Sequence, residues 1–285
     1  MMLGAWIDCA NAWTDLPPNH DIEDEKNNAS EIAKAIEFAN KYPEIVKIIA
    51  VGNEAMVHWA TPYFVKPEVV LKWVNYLQEQ KTQGKLSESL WITSSDNFAS
   101  WGGGSADYHN QDLEQLIAAV DYISMHTYPF HDTHYNSSFW LIPEDESTRS
   151  KLEKIDAAMV RAKSYAVSQY ESVKAYMNAL GIEKPIHIGE TGWATTSQGL
   201  YGANGSFAAD EYKQALYYKL MREWSIENNI SCFFFEAFDE PWKDANHPNG
   251  SENFFGLFTV DGQAKFALWS LVDDGVFSSL SRNGK

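Results

Sequence analysis

Short hydrophobic runs alternate along the chain with longer segments in which apolar residues recur at helical spacing. Six of the runs have the length and the β-branched or aromatic content that are typical of buried strands. These predicted strands cover residues 3–8, 46–54, 90–96, 120–128, 185–190 and 230–238. Because strands that alternate with helices form parallel sheets, the pattern predicts an α/β fold.

Helical periodicity is clearest between the fourth and fifth predicted strands, where apolar residues recur every three or four positions from Leu152 to Leu180. Gly181 and Pro185 follow and are expected to end this helix. The other predicted helices cover residues 29–40, 67–77 and 212–224, and residues 97–112 and 130–148 are predicted to form loops.

Nothing in the pattern divides the chain into separate parts. No linker, internal repeat or low-complexity segment is found, so we predict a single domain over residues 1–285. A closed TIM barrel has eight strand-helix units. Only six strands are predicted, so either two units are missing or the sheet is open.

Composition, charge and the length of the apolar runs bear on fold type, nucleic acid binding and membrane insertion. A hydrophobic fraction of 45% with 21% charged residues is typical of a folded globular chain. The 39 acidic and 22 basic side chains give a net charge of −17, which would repel phosphate backbones, so we expect no nucleic acid partner. No apolar run approaches the length that spans a bilayer, so we expect no membrane span.

The amino-terminal segment and the cysteines bear on cellular location. The first eight residues contain no Lys or Arg, and the acidic Asp8 interrupts the apolar residues that follow Met1. They therefore lack the basic and apolar regions of a signal peptide, and none is predicted in this chain. We expect the full-length protein to be secreted or periplasmic. Cys9 and Cys232 each lie beside strand-like sequence, which favours buried free thiols over a disulfide framework.

Glu54 and Glu190 each end a hydrophobic run that is predicted to be a buried strand. In parallel α/β folds, ligands bind beyond the carboxyl ends of the strands. Two carboxylates at one site can break an acetal, one as a proton donor and the other as a nucleophile. The spacing alone leaves open a structural role, in which each acid caps a loop or pairs with Lys or Arg.

Three motifs carry a family resemblance. Residues 51–54 read Val-Gly-Asn-Glu, residues 189–193 read Gly-Glu-Thr-Gly-Trp, and residues 235–243 read Phe-Glu-Ala-Phe-Asp-Glu-Pro-Trp-Lys. Together they resemble glycoside hydrolase family 17, the β-1,3-glucan-active barrels of glycoside hydrolase clan A. The resemblance extends over essentially the whole chain, and residues 3–7 resemble the third barrel strand of the family.

The resemblance implies a fold and a mechanism. The fold is a (β/α)8 TIM barrel that lacks its first two βα units at the amino terminus, and we expect this shortening to impair activity. The mechanism retains configuration at the sugar carbon. Glu54 is implied as the acid/base and Glu190 as the nucleophile.

The same resemblance implies roles for three residues near the two glutamates. Asn53 would hydrogen-bond the 2-hydroxyl of the sugar, or else cap the end of the strand. Tyr128 would hold the nucleophile, although an aromatic residue before proline also fits simple packing. Trp193 would stack on a glucose ring on the leaving-group side, with core packing as the alternative.

Four charged residues complete the implied substrate-binding set. Glu236, Glu240 and Lys243 resemble residues that contact sugar hydroxyls after the last barrel strand, and a surface Glu-Lys pair is the alternative. Asp96 is a weaker candidate for a sugar contact, because an aspartate that caps a turn explains it nearly as well.

The expected substrate is a β-1,3-glucan or a laminarioligosaccharide. Eleven Trp and 14 Tyr residues suit a sugar cleft, because aromatic rings match the C–H faces of sugars, although most should lie in the core. We expect no cofactor and no metal, since His126, His131 and His134 lack the spacing of zinc motifs. Transglycosylation and non-catalytic glucan binding remain open alternatives. The loops after Asp96 and Phe130 favour exo over endo action only slightly.

Overall fold

The computed structural model describes residues 1–135, 139, 142–197 and 208–278, without the side chains of residues 133–135. Contacts between residues divide the chain into two compact units. Unit 1 contains Met1–Thr127 and Ser168–Gly189, and unit 2 contains Tyr128–Val167 and Glu190–Lys285. The predicted single-domain organisation stays a prediction.

Six strands form the main sheet, and all six predicted strands are found in it. Its order is β1, β4, β5, β6, β7, β8, and the β1/β4, β4/β5 and β5/β6 pairs are parallel. The α/β prediction is therefore confirmed, and six strands with helices fit part of a TIM-barrel fold. The main-sheet strands are β1 (Met2–Ala5), β4 (Ile48–Asn53), β5 (Trp91–Asn97), β6 (Ile123–His126), β7 (Ile186–Gly192) and β8 (Cys232–Phe235).

An antiparallel pair outside the main sheet was not predicted. It consists of β2 (Cys9–Ala10) and β3 (Asn19–Glu23). These strands carry no hydrophobic run, and for that reason the periodicity did not reveal them. Cys9 is buried and Cys232 is partly buried, and both are free thiols.

All four predicted helices are present, and the described part of the chain contains three shorter ones as well. The prediction of a loop over residues 97–112 was wrong at its end, where Asn110 caps a helix by accepting a hydrogen bond from Leu113 N at 2.9 Å. The described helices are α1 (Glu25–Lys41), α2 (Pro67–Thr82), α3 (Gln111–Ala119), α4 (Pro129–Tyr135), α5 (Lys151–Ala179), α6 (Glu211–Glu227) and α7 (Trp269–Asp273). Helix α4 likewise occupies part of the predicted loop 130–148.

The core of unit 1 lies between the sheet and helices α1, α2 and α3. Ile49, Val51 and Ile92 project from β4 and β5 and are fully buried, as are Val74 and Leu77 of α2. Complete burial of one such side chain stabilises the fold by about 1.5–3 kcal/mol. The buried apolar side chains of α2 therefore hold this helix against β4 and β5.

The glycine run at residues 102–104 is explained by close packing. A Cβ on Gly102 would overlap the ring of Tyr176, and a Cβ on Gly103 would lie 2.7 Å from Val173, both on helix α5. Gly102 also has φ = 86°, a left-handed conformation that favours glycine. These glycines let the turn at Ala99–Gly103 approach the helix within unit 1.

Unit 2 has an aromatic core and a buried ion pair. Phe130, Trp193, Tyr217 and Phe255 are fully buried and belong to one cluster. Lys265 is 4% exposed and Asp239 is 6% exposed. The Lys265 ammonium donates to Asp239 Oδ1 at 2.7 Å and to Thr195 Oγ1 at 2.9 Å.

Replacing Lys265 with methionine should destabilise the protein by about 3–5 kcal/mol, because the Asp239 carboxylate is then left buried without its counter-charge. Urea unfolding followed by circular dichroism measures the change. The control is Lys219→Met, since Lys219 is 67% exposed in a surface pair with Glu223. That change should stay within about 0.5 kcal/mol, and an equal loss in both variants would contradict the importance of the buried pair.

Candidate active site

Strand β4 ends in a sharp turn that presents Glu54. Gly52 has φ = 82°, and a Cβ at this position would lie 2.7 Å from Ala55 Cβ. Glu54 itself has φ = 48°, and its N–H donates to Ser95 O at 2.9 Å. Left-handed backbone in a residue other than glycine is uncommon and clusters at functional sites. The turn places Asn53 and Glu54 at the carboxyl end of the strand, as predicted.

His126 orients the Glu54 side chain within unit 1. Its Nδ1 lies 3.1 Å from Glu54 Oε1, and its Nε2 lies 2.7 Å from Ser95 Oγ. The His126 ring is fully buried, whereas the Glu54 side chain is 26% exposed. From the sequence, His126 was a candidate only for metal binding, and its contact with Glu54 was not predicted. Its place at the end of β6, a strand that ends at the same sheet edge, is the signal that could have found it.

Asp96 is placed too deep for the sugar contact that was predicted for it. Its side chain is completely buried, with Oδ2 accepting from Met56 N at 2.8 Å and Oδ1 accepting from Asn97 N at 2.8 Å. Burial raises the pKa of Asp96 to about 7, and the charge of Glu54 contributes to the rise. Asp96 therefore caps the backbone that follows Glu54, which is the alternative that the sequence left open.

Glu190 lies near the end of β7, at the start of the unit 2 part of that strand. The Tyr128 hydroxyl donates a hydrogen bond to Glu190 Oε1. The structure thus brings together the two residues that the family resemblance paired. Just before Glu190, a Cβ on Gly189 would overlap Ser124 Oγ, so the tight packing under the glutamate requires glycine.

Trp193 lies in the core and has no exposed face for a sugar ring. Its side chain is fully buried, and its indole N–H donates to Ala208 O at 2.8 Å. The ring packs 5.4 Å from Phe130 and 5.0 Å from Tyr217, between ring centroids. Core packing, the alternative left open for Trp193, therefore replaces the predicted stacking role.

The three charged residues after β8 influence one another within unit 2. Burial raises the pKa of Glu236 to about 7, the carboxylates of Glu240 and Glu252 contribute to the rise, and Lys243 opposes it. Lys243 Nζ lies 3.9 Å from the ring centroid of Phe235. Among the described residues, Glu236 Oε1 is buried without a hydrogen-bond partner. A buried acceptor of this kind is suited to a hydroxyl donor.

Over the described residues, no group of three or more His, Cys, Asp or Glu side chains is arranged to hold a metal ion. The side chain of His134 lies outside the described residues. None of the described helices has the length and apolarity needed to cross a bilayer.

Comparisons with known proteins relate the chain to carbohydrate-active enzymes. Residues 1–256 match the sequence model of the BtgE/BtgC glycoside hydrolase domain. A solved endo-laminarinase from Formosa Hel1_33_131 is 65% identical, with a TM-score of 0.96 over 100% of this chain and 72% of that chain.

Two more distant relatives were compared. A glucan 1,3-β-glucosidase of Schizosaccharomyces pombe is 27% identical over 225 residues, which are 78% of this chain and 57% of that protein. The chain thus spans little more than half the length of this relative. A glycoside hydrolase family 17 β-1,3-glucanosyltransferase from Rhizomucor miehei has a TM-score of 0.56 at 17% identity, over 93% of this chain and 74% of that chain. At this identity the likeness concerns the fold alone.

Proposed function

Because the chain belongs to the BtgE/BtgC glycoside hydrolase domain family, we propose that it hydrolyses β-1,3-glucosidic bonds of laminarin-type glucans. The observation that carries the proposal is the 65% identity with an endo-laminarinase along the whole chain. The position of Glu54 and Glu190 at strand ends supports it. We also propose that the chain acts as one catalytic domain of glycoside hydrolase family 17 in clan A.

The proposed mechanism is a double displacement that retains configuration. Glu190 attacks the anomeric carbon while Glu54 gives its proton to the departing glycosidic oxygen, which forms a glycosyl-enzyme ester. Water then attacks the same carbon and gives its proton to Glu54, and Glu190 leaves as a carboxylate. This chemistry needs the two carboxyl groups about 5 Å apart. The His126 contact to Glu54 and the Tyr128 contact to Glu190 support it, because each fixes one carboxylate.

We assign the remaining roles as follows. Asn53 donates to the sugar 2-hydroxyl, a bond that strengthens in the transition state. Tyr128 orients Glu190. Glu236, Glu240 and Lys243 contact sugar hydroxyls, and the unpartnered buried Oε1 of Glu236 supports this assignment.

The proposed action is endo, because the solved structure at 65% identity is an endo-laminarinase. This replaces the slight preference for exo action that was drawn from the two loops.

The test is incubation with laminarin and with laminarihexaose, followed by mass spectrometry and by NMR of the first anomer formed. We expect an early mixture of shorter oligosaccharides with the β-anomer first. Lengthened products would instead identify a transglycosylase, and binding without cleavage would identify a glucan-binding protein. Cellohexaose, which has β-1,4 bonds, should remain uncut.

Replacing Tyr128 with phenylalanine should lower kcat for laminarin about 10- to 100-fold, since a hydrogen bond to a charged group is worth about 1.5–3 kcal/mol. The ring packing against Phe235 and Phe255 is retained. The matched control is Tyr212→Phe, whose phenol donates to Asp156 Oδ1 at 2.7 Å on α5 of the same unit. Steady-state kinetics of both variants checks the prediction, which an equal effect of the two substitutions would contradict.

A further inference from the structure

Three aromatic side chains of unit 1 form a partly exposed cluster, which we call the aromatic platform: Trp6, Trp13 and Tyr63. Trp13 is 61% exposed and Trp6 is 39% exposed. The Trp13 and Tyr63 rings stack with centroids 5.0 Å apart, and Trp6 lies tilted 5.5 Å from Tyr63. Large exposed aromatic surfaces in a folded protein mark sites of interaction.

Asp8 fixes the orientation of both indoles. The Trp6 and Trp13 N–H groups donate to the same oxygen, Asp8 Oδ1, at 2.6 and 3.1 Å. Asp8 is itself anchored to the fully buried Asn28 of α1, because its N–H donates to Asn28 Oδ1 at 2.9 Å and its carbonyl accepts from Asn28 Nδ2 at 3.0 Å. No described residue bonds Asp8 Oδ2. One carboxylate oxygen thus orients both indole rings.

The backbone under the platform is strained. Trp13 has φ = 59° and Asn11 has φ = 66°, both in the left-handed region. A bulky residue rarely adopts this conformation, and it persists where the surrounding structure holds it. Here Thr14 closes the turn, with its N–H and its hydroxyl both donating to Asn11 O. The left-handed backbone at Trp13 places its ring at the surface, where it stacks on Tyr63.

The platform lies at the sheet edge that carries Glu54. Strand β1 ends at Ala5, which pairs in register with Val51 of the parallel strand β4. Trp6 follows Ala5 directly, and Glu54 follows Val51 by three residues. Both therefore leave the carboxyl end of neighbouring strands, where α/β folds bind their ligands.

We propose that the aromatic platform is a subsite for a β-1,3-glucan chain, which it contacts at glucose residues remote from the bond that is cleaved. This inference rests on the proposed function. The two indole planes are tilted by 48°, which suits a β-1,3-linked chain that turns at each residue better than a flat β-1,4-linked chain. The rings cover the C–H faces of two glucose residues, and Asp8 Oδ2 accepts a hydroxyl.

The test measures binding in a Glu190→Gln background, where cleavage does not interfere. Titration calorimetry with laminarihexaose should show about 10-fold weaker affinity for Trp13→Ala and for Trp6→Ala, and a smaller loss for Trp13→Phe. The same substitutions should weaken the affinity for laminaritriose and for cellohexaose less than the affinity for laminarihexaose. The control is Trp91→Ala. Trp91 is 41% exposed and is the first residue of β5, so it lies at the amino end of the strand, whereas Trp6 follows the carboxyl end of β1. Its loss should leave laminarihexaose affinity unchanged.

A second measurement needs no platform variant and so does not depend on folding of the tryptophan variants. Oxidation by N-bromosuccinimide followed by peptide mapping should show that laminarihexaose protects Trp6 and Trp13 but not Trp91. Unchanged affinities together with absent protection overturn the subsite, even where laminarin is still hydrolysed. Weakened affinities and protection in a chain that cleaves no laminarin uphold the subsite and reject the proposed hydrolysis instead.

Discussion

The Glu190→Gln variant is expected to lose hydrolysis of laminarin by about 10⁴-fold or more, the scale seen when a nucleophile is removed from a catalytic unit. The amide keeps the size of the side chain and can still accept from Tyr128, so the loss would come from the missing negative charge. Reducing-sugar release over long incubations measures it. Glu223→Gln is the control, since Glu223 is 54% exposed on α6 and should leave the rate unchanged.

A chemical rescue separates the nucleophile from other essential acids. In a Glu190→Ala variant, azide can attack the anomeric carbon of dinitrophenyl β-laminaribioside from the vacated face and expel dinitrophenolate. The product would be the α-glycosyl azide, with inverted configuration, identified by NMR. A β-glycosyl azide from this variant would contradict the assignment of Glu190, because it implies that the covalent intermediate still forms.

The positions of Glu54 and Glu190 could be predicted because they depend on local sequence. Each acid ends a hydrophobic run, and a parallel sheet sends the ends of such runs to one edge. Gly52 and Gly189 were part of the same motifs, and the structure gives each a steric reason. Strand periodicity therefore predicted the sheet and the strand ends, whereas the catalytic roles of the two acids rest on the family resemblance and stay a proposal.

The side chains that contact Glu54 and Glu190 could not be predicted, because these contacts join segments that are far apart in the sequence. His126 contacts Glu54 across 72 positions of sequence, and only the register of the strands brings them together. The tryptophans show the same limit, since Trp193 is buried whereas Trp13 is 61% exposed, and nothing in the local sequence distinguishes the two. Residue type and spacing do not distinguish a ring in the core from a ring on a surface.

Replacing Glu54 with glutamine should reduce kcat/KM for laminarin by about 10²–10⁴-fold, the usual contribution of a general acid–base catalyst. The expected loss depends on the leaving group. A sugar alkoxide needs a proton as it departs, whereas dinitrophenolate leaves without one. Formation of the glycosyl-enzyme from dinitrophenyl β-laminaribioside should therefore remain nearly as fast as in the unaltered chain.

The second step tests the acid/base role of Glu54 more directly, because Glu54 also takes the proton of the water that attacks the glycosyl-enzyme. With the dinitrophenyl substrate, the Glu54→Gln variant should release a rapid burst of dinitrophenolate and then turn over slowly, with a glycosyl-enzyme visible by intact-mass spectrometry. Azide should restore turnover and give the β-glycosyl azide, the opposite configuration from the Glu190→Ala variant. Glu44→Gln is the control, since Glu44 is 93% exposed in unit 1 and should show none of these effects. An equal loss with both leaving groups would mean that Glu54 binds or orients substrate without transferring a proton.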